Sequence, residues 1–151
     1  MTDGGRTHGI HRLLTLACVL CLGGAFASGC QGPTRLYVGP EKSFEEVSVV
    51  RWSGDLQLKA IGGNSDSGQG VMKGGAVSSP NHLLPGRYTY TFWCDTERVF
   101  GREVQYAGRA QSVTFRTEAG RAYDVVAEVH DDKWRLAAVE AGSRRVVARS
   151  W

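Results

Sequence analysis

Apolar and polar side chains alternate strictly over much of the second half of the chain. The alternation is strongest over residues 87–93, where three aromatic residues alternate with two threonines. A period of two is typical of a strand that buries one face. The patterning predicts eight short strands, at residues 47–52, 56–61, 87–93, 99–106, 112–117, 122–130, 133–139 and 144–148.

The segments between these strands are short except for one. Residues 53–55 and 131–132 read as tight turns, whereas residues 62–80 are rich in glycine and serine without periodicity and predict a long surface loop. After residue 30, no stretch of twelve residues has helical periodicity. The pattern therefore predicts an all-β fold, an antiparallel β-sandwich of Ig-like or related type, with a small barrel as the alternative.

The N-terminus has a different pattern. Arg6 and Arg12 precede an uninterrupted uncharged run over residues 13–26. A basic segment followed by an apolar run is typical of a secretory signal peptide. The run of about 14 residues is shorter than the roughly 20 that a permanent membrane helix needs, so we expect cleavage.

The apolar run ends in the small residues Ala27, Ser28 and Gly29, which lead directly into Cys30. This arrangement resembles the lipobox of bacterial lipoproteins, in which the cysteine is acylated and becomes the mature N-terminus. The resemblance covers residues 13–30. Ala27 stands where the family usually has leucine, so cleavage by an ordinary signal peptidase remains the alternative.

The resemblance implies a division of the chain and a location. Residues 1–29 would be the lipoprotein signal peptide, 30–43 a lipidated tether and 44–151 the β-sandwich domain. Acyl chains on Cys30 would hold the protein at a membrane, because each buried methylene contributes about 0.8 kcal/mol. Gln31 is not the aspartate associated with inner-membrane retention, which implies an outer-membrane anchor facing the periplasm in a diderm host.

Composition and charge limit the classes of partner that the mature chain is expected to bind. The 151 residues include 20 glycines, which favours a β protein rich in turns. Cleavage before Cys30 leaves 16 basic and 14 acidic side chains in 122 residues, and this near-neutral balance argues against nucleic acid. Arg144 and Arg145 are adjacent and could contact a phosphate, although adjacent arginines usually form solvated surface. Cys94 would be the one unmodified cysteine of the mature chain, so we expect no intramolecular disulfide.

Two short stretches resemble the turns that lead into strands in PEGA-like surface domains and in small bacterial lipoproteins of unassigned function. They are Leu-Leu-Pro-Gly-Arg-Tyr-Thr-Tyr at 83–90 and Glu-Ala-Gly-Arg-Ala-Tyr at 118–123. The resemblance implies an adhesive or scaffolding β-sandwich and carries no catalytic residues.

The sequence offers weak signals for catalysis. Ser65 or Ser67 with Asp66 and His82 could form a hydrolase triad, but no Gly-x-Ser-x-Gly motif is present. No dinucleotide-binding or Walker pattern occurs, and the acidic and histidine residues lack metal-ligand spacing. We therefore expect no cofactor, no metal and no enzymatic activity.

Aromatic side chains are the remaining candidates for a binding surface. The residues concerned are Trp52, Tyr88, Tyr90, Phe92, Trp93 and Trp134. They could stack on a sugar or contact a partner, or they could form the core of the sandwich. The function predicted from the sequence is a membrane-anchored, non-catalytic interaction or structural module with an envelope protein partner. The alternative is a lipid-anchored protein that binds a glycan or small ligand through residues 62–82 and neighbouring aromatics, and an envelope hydrolase is the third reading.

Overall fold

A computed structural model describes residues 33–74, 77, 79–94 and 109–150. The regular secondary structure of these residues is all β-strand, apart from one short 3₁₀ helix at Phe44–Glu46. Ten strands are present in the described part: β1 Thr34–Arg35, β2 Ser48–Trp52, β3 Leu56–Ser65, β4 Gly70–Gly74, β5 Asn81–Leu83, β6 Gly86–Cys94, β7 Gln111–Thr117, β8 Ala122–His130, β9 Lys133–Glu140 and β10 Val146–Arg149.

The strands form two sheets. One has six strands in the order β1-β5-β2-β8-β9-β10, and the other has four in the order β4-β3-β6-β7. The four-stranded sheet is antiparallel throughout, but β1 pairs parallel with β5, and β2 pairs parallel with β8. The expectation of two stacked sheets is met. The expectation of a wholly antiparallel fold is corrected, because β2 pairs parallel with β8, whose residues lie 73 positions later in the chain.

A single hydrophobic core contains side chains from both sheets. Aromatic rings connect the two: Phe115 of β7 lies 5.5 Å from Tyr123 of β8, and Trp52 of β2 lies 5.3 Å from Phe92 of β6, between ring centroids. These distances are within the range of favourable aromatic pairs. The alternation seen in the sequence therefore serves to bury one face of each sheet against the other.

Five of the expected strands appear as β2, β6, β7, β8 and β9, with limits within one residue of the prediction. The expected strand at 99–106 lies outside the described residues. The strand expected at 144–148 is shifted to Val146–Arg149, and that expected at 56–61 extends to Ser65.

The glycine-rich segment 62–80 is the clearest correction. Instead of one long loop, it contains the end of β3 and all of β4. Gly63 has φ +137°, and a Cβ there would lie 2.3 Å from the Arg87 carbonyl oxygen. Glycine occurs here because β3 and β6 approach closely, not because the chain leaves the sheet.

The boundary between tether and sandwich is also corrected. The Thr34 and Leu36 amides donate to the carbonyl oxygens of Pro80 and His82, at 3.0 and 2.9 Å, and the Leu36 side chain is buried. Residues 34–36 are therefore part of the fold, ahead of the expected start at residue 44.

Candidate functional site

The candidate site is a cleft of about 480 Å³ at one end of the six-stranded sheet. We call it the β2–β8 cleft. Its lining residues come from four places in the chain: Arg51, Trp52 and Ser53; Asp124, Val125 and Val126; Val139; and Arg144.

The cleft continues into a row of side chains on the outer face of the sheet. The strand register places Arg51 beside Asp124, Asp124 beside Val139, and Val139 beside Val146. One row of neighbouring positions thus crosses four strands, from an ion pair to two valines. Directly opposed positions on one face of a sheet are close enough for their side chains to interact.

The polar end of this row is an ion pair with two hydrogen bonds. Arg51 Nε donates to Asp124 Oδ1 at 2.8 Å, and Arg51 Nη2 donates to Asp124 Oδ2 at 3.2 Å. This forked geometry fixes both side chains. Both carboxylate oxygens of Asp124 accept hydrogen bonds from Arg51. The two side chains together make this end of the cleft polar.

Arg144 gives the cleft a second cation. It has φ +58°, an uncommon conformation for a residue with a side chain, and its amide donates to the Glu140 carbonyl oxygen at 2.8 Å. Its side chain makes no ion pair with the described residues. An anionic group in the cleft would therefore find a cation whose side chain is held in no competing ion pair.

Val126 and Val146 are among the few large apolar side chains exposed in the described part of the chain. With Val139 they form a patch that we call the outer valine patch. Val126 lies two residues from Asp124 on β8, so both side chains are on the outer face of the sheet. The patch places apolar surface beside the charged end of the cleft.

Beyond the patch, a cluster of charges lies on the same face. Glu128 Oε1 accepts hydrogen bonds from Arg149 Nε at 2.8 Å and Arg135 Nε at 3.2 Å. Partial burial by itself would raise the pKa of Glu128, but the hydrogen bonds and charges of these arginines outweigh it, and the pKa lies below its ordinary value. The outer valine patch therefore has ion-paired residues on both sides.

Four of the six aromatic candidates lie in the core. Tyr88, Tyr90, Phe92 and Trp134 are at most 1% exposed. Each occupies the inward position of its strand, so the alternation that suggested a stripe reflects burial, and the surface prediction is corrected for these four.

Trp52 and Trp93 are half-buried. Trp52 packs its ring against Phe92 and Tyr90 and also lines the β2–β8 cleft. Trp93 is adjacent on β6 to inward Phe92 and therefore lies on the opposite face of the four-stranded sheet. Of the aromatic candidates, Trp52 is the one that the structure places in the cleft. Cys30 lies outside the described residues.

The structure does not assemble the hydrolase candidates into a triad. Ser65 and Ser67 hydroxyls are 2.8 Å apart, and Asp66 accepts two hydrogen bonds from Arg116 Nη2. Ser65 belongs to the four-stranded sheet and His82 to the six-stranded one. The described residues contain no hydrogen bond between His82 and these three side chains.

Within the described ranges, no three histidine, cysteine, aspartate or glutamate side chains are grouped in a way that could hold a metal ion. The same ranges contain no helix that is both long and apolar enough to cross a membrane.

Sequence reasoning missed most of the cleft. Arg51, Asp124, Val126 and Val139 each look like an ordinary outward strand residue, and their proximity depends on the parallel pairing of β2 with β8. Two signals in the sequence did point to this site: Trp52 as an aromatic candidate, and the adjacent Arg144 and Arg145 as a contact for a phosphate.

Compared with models of protein families, with curated proteins and with solved structures, the chain gives no match.

Proposed function

We propose that this protein is a non-catalytic interaction module of a bacterial cell envelope, anchored by acyl chains on Cys30 after removal of residues 1–29. The observation that carries the proposal is the order of the chain. An uncharged run and Ala27-Ser28-Gly29-Cys30 stand directly ahead of a β fold whose first strand begins at Thr34. A globular domain placed four residues after the lipobox cysteine is suited to work beside a membrane. The proposed location is the outer membrane, facing the periplasm.

The proposal includes an Ig-like or PEGA-like type for the sandwich. Two tyrosines, one in each resembling stretch, support it. The Tyr88 hydroxyl donates to the Leu84 carbonyl oxygen at 2.8 Å, and the Tyr123 hydroxyl oxygen accepts from the Glu118 amide at 3.1 Å. Each ring thus ties the start of a strand to the turn before it, as the tyrosine corner does in Ig-like domains.

The proposed partner is an envelope protein, and the outer valine patch is the surface that would contact it. An exposed apolar centre with ion pairs around it is the usual arrangement of protein–protein interfaces. Because Arg51 and Asp124 already neutralise each other, a partner can cover this ion pair without leaving either charge unpaired.

A second candidate function is favoured by Trp52 in the β2–β8 cleft. A cleft of about 480 Å³ is within the size range of sites for small molecules. It combines the aromatic ring of Trp52, the ion pair of Arg51 with Asp124, and the cation of Arg144, and these could bind a glycan or an anionic small ligand.

Anchoring is tested by fractionating cells of the native host that express Cys30→Ala. We expect the variant to leave the membrane fraction, while Cys21→Ala, which changes a cysteine within the apolar run, remains membrane-bound. Retention in the membrane of Cys30→Ala from which residues 1–29 have been removed, as its intact mass reports, would contradict the anchor.

Partner binding is tested by placing a photo-crosslinking residue at Val126 in the membrane-bound protein, with Thr114 on the outer face of the other sheet as the matched control. We expect a discrete protein adduct from position 126 alone. The same adduct from both positions, or none from 126, would contradict a partner at the outer valine patch.

The ligand alternative has its own readout. Soluble peptidoglycan fragments would produce a saturable change in tryptophan fluorescence that Arg144→Ala weakens. An unchanged signal in the wild-type protein would contradict a glycan site of this chemistry.

A further inference from the structure

The two most exposed large apolar side chains in the described part of the chain line the same groove. Val38 is 83% exposed and Met72 is 84% exposed. The groove, of about 250 Å³, runs between the segment that follows β1 and the strand β4, and we call it the β4 groove. Its lining residues are Arg35–Val38 and Gln69–Lys73.

The charges of the β4 groove have one sign. Arg35 and Lys73 line it, and none of its nine lining residues is acidic. Apolar side chains that project from a surface with nearby cations are typical of proteins that dock on anionic lipid, since the cations attract the headgroups and the apolar groups enter the interface.

The segment that carries Val38 is held in place on both sides. Upstream, the Leu36 amide donates to His82 and the Leu36 side chain is buried. Downstream, the Lys42 amide donates to the Tyr37 hydroxyl oxygen at 3.2 Å. Val38 therefore projects from a fixed backbone and needs no rearrangement of the fold to stay exposed.

Met72 projects from a strand at the edge of its sheet. Strand β4 pairs with β3 alone, and Met72 lies opposite Gly62, which has no side chain to cover it. A methionine on an edge strand is flexible and apolar, and both properties suit insertion among lipid chains.

The groove begins at Arg35, close in the chain to Cys30, and this proximity favours a lipid bilayer as its occupant. Thr34, the residue before Arg35, is four residues after Cys30, and four extended residues span at most about 14 Å. If Cys30 is anchored in a bilayer, the entrance to β1 stays within this distance of the headgroups.

We infer that the β4 groove is a membrane-docking face, on which Val38 and Met72 enter the headgroup region of an anionic bilayer while Arg35 and Lys73 contact lipid phosphates. This inference rests on the proposed anchor at Cys30. It adds an orientation to that proposal: the sandwich lies against the membrane by a defined face and leaves the outer valine patch to its partner.

The test uses the acylated protein purified from host membranes, with intact mass confirming acylation in every sample. Single cysteines replace Val38, Met72 or, as the matched control, Val126, which is an exposed valine on the other sheet. Each is labelled with an environment-sensitive fluorophore and reconstituted in vesicles of phosphatidylethanolamine and phosphatidylglycerol. Cys94 is buried, and labelling of the unsubstituted protein gives the background signal from this thiol.

We expect probes at positions 38 and 72 to be quenched by lipids with brominated chains and protected from aqueous iodide, and the probe at 126 to show the opposite. Arg35→Glu with Lys73→Glu should weaken docking of the groove about tenfold or more in phosphatidylglycerol vesicles, through two lost headgroup contacts. Arg35 and Lys73 are both exposed, so we expect the two substitutions to leave the fold intact.

Three results overturn the inference. Iodide quenching of positions 38 and 72 equal to that of 126, in acylated protein, leaves the anchor standing and removes the docking face. Protection in native membranes but not in pure lipid vesicles assigns the groove to a protein. An unmodified Cys30 overturns the proposed anchor together with this inference.

Discussion

At the scale of single residues, burial and hydrogen bonding separate side chains that the sequence pattern treats alike. Tyr88 and Tyr90 are two residues apart on β6 and both are buried. The Tyr88 hydroxyl donates to Leu84, whereas the Tyr90 hydroxyl has no partner in the described part of the protein. Burial raises the pKa of Tyr88 to about 12 and raises that of Tyr90 well above its ordinary value.

The two tyrosines should therefore respond differently to loss of the hydroxyl. Tyr88→Phe removes a hydrogen bond and should cost about 0.5–1.5 kcal/mol of unfolding free energy. Tyr90→Phe removes an unsatisfied polar atom and should leave stability unchanged or higher. Urea unfolding of the two variants checks this. A larger loss for Tyr90→Phe than for Tyr88→Phe would show that the Tyr90 hydroxyl is stabilising.

The lowered pKa of Glu128 should make the stability of the fold depend on pH. Its pKa in the folded protein is below the ordinary value of about 4.5, so the ionised form stabilises the fold above that pH. As the pH falls below about 4.5, the unfolded chain takes up the proton first, and this stabilisation is lost. The side chain is partly exposed, so we expect a contribution of under about 1 kcal/mol at pH 7.

The measurement is denaturant unfolding of the wild type and Glu128→Gln at pH 7 and pH 3.5. The variant should be less stable at pH 7 and lose less on acidification. Glu118→Gln is the matched control, because Glu118 makes no ion pair with the described residues. An equal acid dependence in all three proteins would contradict the role of the Arg135 and Arg149 contacts.

At the scale of strands, the sequence predicted those with clean alternation, and it missed β4 and the end of β3, whose extended conformation depends on their neighbours. Strands β6 to β9 alternate because each has one buried face. Strands β3 and β4 contain four glycines, and their extended conformation arises from pairing with neighbouring strands. Glycine and serine content alone predicted a loop for this segment, because the pairing that extends it is not visible in the local sequence.

Gly86 tests this explanation for the glycines. A Cβ at Gly86 would lie 2.3 Å from the Asn64 carbonyl oxygen and 2.5 Å from Ser65 Cα. Because both atoms belong to backbone, Gly86→Ala should shift β3 and cost about 2 kcal/mol or more. Gly54→Ala is the control, since a Cβ at Gly54 meets nothing within 4 Å and the change should be within about 0.5 kcal/mol. Thermal unfolding distinguishes the two, and equal melting temperatures would contradict close packing at Gly86.

At the scale of the whole molecule, sequence patterning gave the number of sheets but not their composition. Strands β2 and β3 follow each other across a short turn, yet they belong to different sheets. The pairing of β2 with β8 assembles the β2–β8 cleft, and nothing local in either segment specifies it. Among the aromatic candidates, alternation could not tell which face of each strand is buried, and the structure leaves Trp52 and Trp93 half-buried.

The same scale gives the proposed arrangement at the membrane. The β4 groove lies between the start of the fold and an edge of the four-stranded sheet, whereas the outer valine patch is on the outer face of the six-stranded sheet. The two surfaces use different residues throughout. A partner could therefore bind the patch while the groove contacts lipid, and substitutions in one surface should leave the other's readout unchanged.

The central claim is that Cys30 is the acylated N-terminus of the mature protein. The most direct test is the intact mass of the protein extracted from membranes of its native host, measured beside Cys30→Ala. We expect a chain that begins at Cys30 and carries a diacylglyceryl group and an amide-linked acyl chain, and we expect Cys30→Ala to carry neither. An unmodified mature chain, or one cleaved at another position, would contradict the claim.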